Sequence, residues 1–184
     1  MSRKIRVERM ERLLASESRY PAGFARFDLL GMSQSLRFGH VPDFTDAIEL
    51  VAARLNRKPR DVDAHGYETE LIAAVCNPEQ TQYAWVEYRF RGLETGVDIQ
   101  FYLRAVKDGQ QVADWVIETY NPFFGCQVQY FAWHEDRIVV IYQEKHHVYL
   151  ASLRQGKLIQ RLKINHEWQI CDGVLLALGS EFPL

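Results

Sequence analysis

The feature that most constrains this chain is a change of hydrophobic period. Up to about residue 76 apolar residues recur at helical spacing, and after Thr81 they alternate one by one. Ala84, Val86, Tyr88 and Phe90 interleave with Tyr83, Trp85, Glu87 and Arg89; Val97, Ile99, Phe101 and Leu103 interleave with Asp98, Gln100, Tyr102 and Arg104. A period of two is the signature of a strand with unlike faces. The two runs flank Gly92–Gly96 and read as a hairpin whose loop is longer than two residues.

A third strand is expected over Val112–Thr119, entered through Asp108-Gly109, a strong turn dipeptide. Further strands follow at Cys126–His134, Arg137–Glu144, Val148–Leu153, Leu158–Ile164 and Trp168–Leu176. Glu135-Asp136, Lys145-His146, Gln155-Gly156, Asn165-His166 and Asp172-Gly173 supply the turns. Connections this short leave no room for crossover helices, so the pairing must be antiparallel. The rhythm resembles that of propeller blades, but two blade-equivalents cannot close a propeller.

The first part of the chain is helical in pattern. Val7, Met10 and Leu14 predict a helix over Arg3–Ala15, and residues 16–42 are a packed connection punctuated by Gly and Pro. Phe44, Ala47, Ile48, Val51, Ala52 and Leu55 define the clearest helix, with Asp43 as N-cap, Asn56 as a left-handed exit and Pro59 beyond. Leu71, Ile72, Val75 and Cys76 predict a third helix over Glu68–Cys76, closed by Pro78. The expected fold is therefore α+β: N-terminal helices packed on a large, mostly antiparallel meander of about eight strands, as a half-barrel or sandwich. One domain spans 1–184, with a helical layer over 1–78 and a β layer over 79–184.

Composition adds three limits. With 47% hydrophobic residues and only 11 Gly and 6 Pro in 184, the chain has core enough to fold and is not linker-like. Three widely spaced cysteines fit neither a disulfide framework nor a four-ligand zinc site, and suit a reducing cytoplasm. The densest apolar stretch, Val174–Leu178, is far shorter than the roughly 20 residues of a membrane helix. The basic start lacks the apolar region of an export signal, so a cytoplasmic, membrane-free protein is expected.

The net charge of −2 hides an asymmetry: residues 1–60 carry 12 Lys/Arg against 7 Asp/Glu, and residues 61–184 carry 10 against 17. Aromatic residues divide the same way, 6 up to Cys76 and 17 after it. An aromatic, acidic sheet is the unusual feature, and it has two readings. If one strand face meets solvent, Tyr83, Trp85 and Tyr102 form a recognition surface, joined by Tyr120, Phe123 and Phe124 from the 120–125 loop. If both faces are covered, the same rings are core. In the first reading Glu87, Asp98 and Glu118 steer a basic partner.

Chemistry-bearing sets are sparse. Asp61, Asp63 and His65 have oxygen and imidazole donors, yet lack the spacing of a calcium loop or zinc helix, and read as turn residues. Cys126 is the candidate nucleophile. His134 stands about 26 Å along the same extended strand, so only His146 or His147 can pair with it, with Glu144 as the polar orienter. Glu87, Glu118 and Glu144 are the carboxylates available to an acid–base pair. Residues 44–65 loosely match a helix-turn-helix, with Arg54, Arg57, Lys58 and Arg60 as phosphate contacts, against the acidic remainder of the chain.

The leading expectation is a non-catalytic protein-binding or ligand-binding domain, immunity-like or adaptor-like, using the aromatic sheet surface. No catalytic residue, metal or cofactor is assigned. The partner is expected to be a protein, basic in character, with a small-molecule ligand as the other option. The alternatives are a hydrolase-type site at the sheet edge and a DNA-binding regulator acting through 44–65.

Overall fold

The computed structural model describes residues 43–119, 122, 125–164, 168–171, 174–177 and 180–183. The expected helix over Arg3–Ala15, the connection over 16–42, and Tyr120, Phe123 and Phe124 lie outside the described residues. Those described form one helix, α1 (Thr45–Arg54), and twelve strands. These are β1 (Arg60–Val62), β2 (Glu68–Cys76), β3 (Gln82–Leu93), β4 (Gly96–Lys107), β5 (Gln110–Val116) and β6 (Gln127–His134). There follow β7 (Arg137–Glu144), β8 (His147–Arg154), β9 (Lys157–Ile164), β10 (Trp168–Cys171), β11 (Val174–Ala177) and β12 (Ser180–Pro183).

All pairings are antiparallel between strands adjacent in sequence. The expected single sheet of about eight strands is instead three meanders, β1 to β5, β6 to β9 and β10 to β12, and none is closed. Residues 117–126 join β5 to β6, which pairs with β7 alone and so starts a second sheet that packs on the first rather than extending it. Ala73, Val75, Ala84, Val86, Phe101 and Leu103 of the first sheet share one core with Tyr130, Phe131, Val140 and Leu153 of the second.

Sheet also begins earlier in the chain than expected. Glu68–Cys76 is not a helix but β2, and with β1 it places strand within the expected helical layer. A β-bulge between Leu71 and Ala73 explains the misleading pattern. The extra residue shifts alternation by one, so Leu71, Ala74 and Cys76 pack with α1 while Ala73 and Val75 enter the core between the sheets. A strand buried on both faces reads as a continuous apolar run, which period alone does not separate from a helix.

Elsewhere local signals act as their chemistry dictates. The N-cap of α1 is Phe44 rather than the expected Asp43 and has no side-chain cap; Asp43, one residue earlier, accepts the Thr45 N–H at 2.9 Å and its hydroxyl at 2.6 Å. Asn56 takes φ 53° at the helix exit. The β3–β4 loop is tighter than expected, two residues, because Leu93 pairs with Gly96. Gly156, at φ +73°, approaches β5 so closely that an added Cβ would meet the Val112 carbonyl oxygen at 2.4 Å. Val112 stands out there as the bulged residue opposite Ala105 and Val106.

Candidate functional site

The outer face of the first sheet carries the residues that alternation assigns to it, and α1 divides it in two. Beneath the helix, Ala47, Val51 and Ala52 pack on Leu71, Ala74, Cys76, Tyr83 and Trp85. Tyr83 and Trp85, 8% and 5% exposed, stack with ring centroids 6.1 Å apart. They are core, not solvent-facing anchors. The helix packed on them is the cover that sequence alternation does not reveal.

Beyond the helix the face turns polar. Glu87 is 1% exposed, and Arg57 and Arg104 reach its two oxygens at 3.0 and 2.9 Å. The Trp85 indole N–H donates to it at 3.3 Å, and Arg104 also pairs with Asp114 at 3.0 Å. Glu87 therefore binds its own protein's cations and is not free to steer a basic partner. Arg57 keeps two buried nitrogens, Nε and Nη2, without hydrogen-bond partners.

Farther along the same face, cations and rings alternate. The Arg104 guanidinium lies 4.5 Å from the Tyr102 ring centre, and that of Arg89 lies between Tyr102 at 5.5 Å and Tyr67 at 4.3 Å. Arg91 approaches Tyr67 at 5.5 Å. Arg89 pairs with Asp63, Tyr102 donates to the Gln100 side chain, and the Tyr67 hydroxyl donates to Asp98 at 2.7 Å. The Asp98 carboxylate pushes the Tyr67 pKa up. Burial works to raise the Asp63 pKa, but the Tyr67 and His65 N–H groups and Arg89 outweigh it and hold the carboxyl below its usual range. Four arginines thus balance four carboxylates on this surface, so it is charge-matched rather than acidic.

The same hydrogen bonds decide the Asp61, Asp63 and His65 set. Asp61 accepts the Lys58 and Val62 N–H groups, and Asp63 accepts those of His65 and Tyr67, so both carboxylates are turn-makers. Among the described residues no three His, Cys, Asp or Glu side chains converge as metal ligands. The helix-turn-helix expectation fails locally: where a recognition helix is required, residues 60–62 and 68–76 are paired strands.

Cys126 and Glu144 do come together at the end of the second sheet. Glu144 is buried, and its charge adds to burial in pushing the Cys126 thiol up to about 12. A nucleophilic cysteine requires the opposite shift. His147 stands opposite Glu144 in the ladder but packs against Tyr149, and His146 is exposed in the turn. Glu118 is exposed and lies 3.7 Å from Arg161, whose Nε donates to Tyr142. The two carboxylates Glu87 and Glu144 sit on different sheets.

A cleft of about 160 Å³ at one end of the sandwich is lined by Lys107, Val112, Trp133, Ile138 and Leu153. It is smaller than the roughly 300 Å³ at which drug-sized ligand sites begin.

Sequence reasoning missed Tyr67, Arg57, Arg89 and Arg104 as members of the surface. For Arg89 and Arg104 the signal was present, since alternation puts them on the face of Trp85 and Tyr102. Arg57 and Tyr67 arrive from turns, which no period marks. No family model, curated protein or solved structure matches this chain.

Proposed function

We propose that the chain is a non-catalytic binding module for a protein partner, and that its contact surface is the far half of the β3–β4 hairpin. The observation that carries this reading is the juxtaposition of exposed apolar residues with fixed rings and guanidiniums. Leu93, 49% exposed, continues the face of Arg89 and Arg91, on which Tyr67, Arg89 and Tyr102 are held in place by stacking and hydrogen bonds, while Val97, 40% exposed, stands on the opposite face of the same hairpin end. Tyr and Arg are the residue types that dominate binding energy at interfaces, and side chains already ordered lose little entropy on association. Relative to the sequence expectation, the surface moves from Tyr83 and Trp85 to the hairpin beyond α1. A cytoplasmic setting and an immunity-like or adaptor-like role belong to the same proposal.

The test is site-specific photo-crosslinking in cells that make the protein. A photoreactive residue at Leu93 or Val97 is expected to yield adducts with another polypeptide, and one at Ile159, exposed on the other sheet, is not. Adducts only from Ile159 would overturn the reading.

A further inference from the structure

The open edge of β4 carries the proposal further, to the way the partner docks. β5 pairs with β4 only as far as Tyr102, and one more bond, from the Ile117 N–H to the Phe101 carbonyl at 2.8 Å, ends the contact. The Phe101 carbonyl thus points away from β3. By the period of two, the N–H and C=O groups of Ile99 and Val97 point the same way. Gly96–Gln100 therefore presents four backbone groups on an edge that no described strand covers.

The outer strands of the two larger sheets are guarded. β1 has three residues and Arg60, β5 is bulged at Val112, β6 is bulged between Val128 and Tyr130, and β9 is bulged and carries Lys157, Arg161 and Lys163. The β4 segment has no bulge, proline or cation. Natural sheets use those devices to refuse additional strands, and a segment without them, with four backbone groups turned outward, is fitted to accept one.

We infer that Gly96–Gln100 accepts an extended peptide strand of another protein, antiparallel to β4, with a basic residue opposite Asp98 and apolar residues opposite Val97 and Ile99. This rests on the binding-module reading above. Charge selects the occupant. A second copy of the chain forming all four backbone bonds would place Asp98 opposite its own counterpart, and like charges directly across a ladder are unfavourable. A lysine or arginine there shares Asp98 with Arg91, which stands opposite it on β3, and meets the carboxylate oxygen that Tyr67 does not use. Val97 and Ile99 lie on the apolar side of β4 and themselves meet the incoming apolar side chains, backed from the next strand by Tyr88 and Phe90, whose rings stack at 6.5 Å.

The probe is a blocked pentapeptide, acetyl-Thr-Val-Lys-Ile-Thr-amide, with a second peptide bearing glutamate at the centre. Amide exchange of the full chain is followed by NMR. Without peptide, the Val97 and Ile99 amides exchange freely while Asp98 and Gln100, which face β3, are protected. The lysine peptide is expected to protect Val97 and Ile99 at least tenfold and to bind about fivefold more tightly than the glutamate peptide. Asp98→Lys is expected to reverse that preference. Peptide at saturation without protection of these two amides, or equal binding of both peptides, would overturn the proposal. Protection that grows with protein concentration alone would assign the edge to a second copy and overturn it too. Crosslinks at Leu93 or Val97 alongside a negative peptide result would refute strand addition while leaving the binding-module reading intact.

Discussion

Glu87→Gln is the substitution whose consequence can be worked most fully from the structure. The carboxylate is buried to 1% exposure, accepts two guanidiniums at 3.0 and 2.9 Å, and accepts the Trp85 indole at 3.3 Å. Glutamine preserves its volume but offers one neutral acceptor, and turns an amide toward an arginine. Removing one partner of a buried ion pair costs about 3–5 kcal/mol. The side chains of Arg57 and Arg104 retain 21% and 23% of their exposure, so water takes up part of the loss. The expected cost is therefore about 3 kcal/mol. With a urea dependence of about 2 kcal/mol per molar, the unfolding midpoint falls by about 1.5 M. The two arginines are not equivalent. Arg104→Met removes a cation satisfied by both Glu87 and Asp114. Arg57→Met removes one that also buries two nitrogens without partners, a penalty of about 1–3 kcal/mol for each unsatisfied group. Arg57→Met is thus expected to cost about 1 kcal/mol and Arg104→Met clearly more. A midpoint shift below about 0.5 M for Glu87→Gln, or the reverse order of the arginines, would refute the reasoning.

Three further outcomes are expected. Burial pushes both the Cys126 thiol and the Tyr142 hydroxyl up to about 12. Both groups ionise more readily in the unfolded chain, so stability is complete below about pH 8.5 and falls as pH rises toward 12. Urea midpoints across that range test the slope, and native Cys126 should alkylate slowly at pH 7. Gly156→Ala forces a left-handed φ on alanine and drives its methyl into the Val112 carbonyl; a loss of about 2–3 kcal/mol by denaturant titration is expected. Trp85→Ala should cost about 3–5 kcal/mol in stability, as befits a buried ring, and a loss under 1 kcal/mol would return Trp85 to the surface.

What the sequence made legible follows from where each strand lies. Lone turn dipeptides and clean alternation place β7, β8 and β9 to within a residue, because those signals are local, while β3 and β4 each run three residues past the expected alternation, to Leu93 and Lys107. β2 was misread because burial on both faces and the Ile72 bulge erase period two. The division into separate sheets was not legible, since a ladder's partner is encoded only between hairpin neighbours and the packing of one sheet on another leaves no period. For the surface, alternation sorted the faces of β3 and β4 correctly, Glu87 and Arg104 included. Whether solvent or α1 lies above Tyr83 and Trp85 is a tertiary fact that no run of eight residues contains.

Strands that pair only with their neighbours in the chain have a kinetic consequence. Each ladder closes a loop of a few residues, so the first five strands and the next four can zip from their turns at little cost in chain entropy. Among β-sandwiches, whose folding is usually slowed by pairings distant in sequence, this chain should fold fast. The slow step then falls on the docking of two preformed meanders through their side chains. A backbone cut between 117 and 126 would leave every ladder in both intact, making them natural halves for fragment complementation.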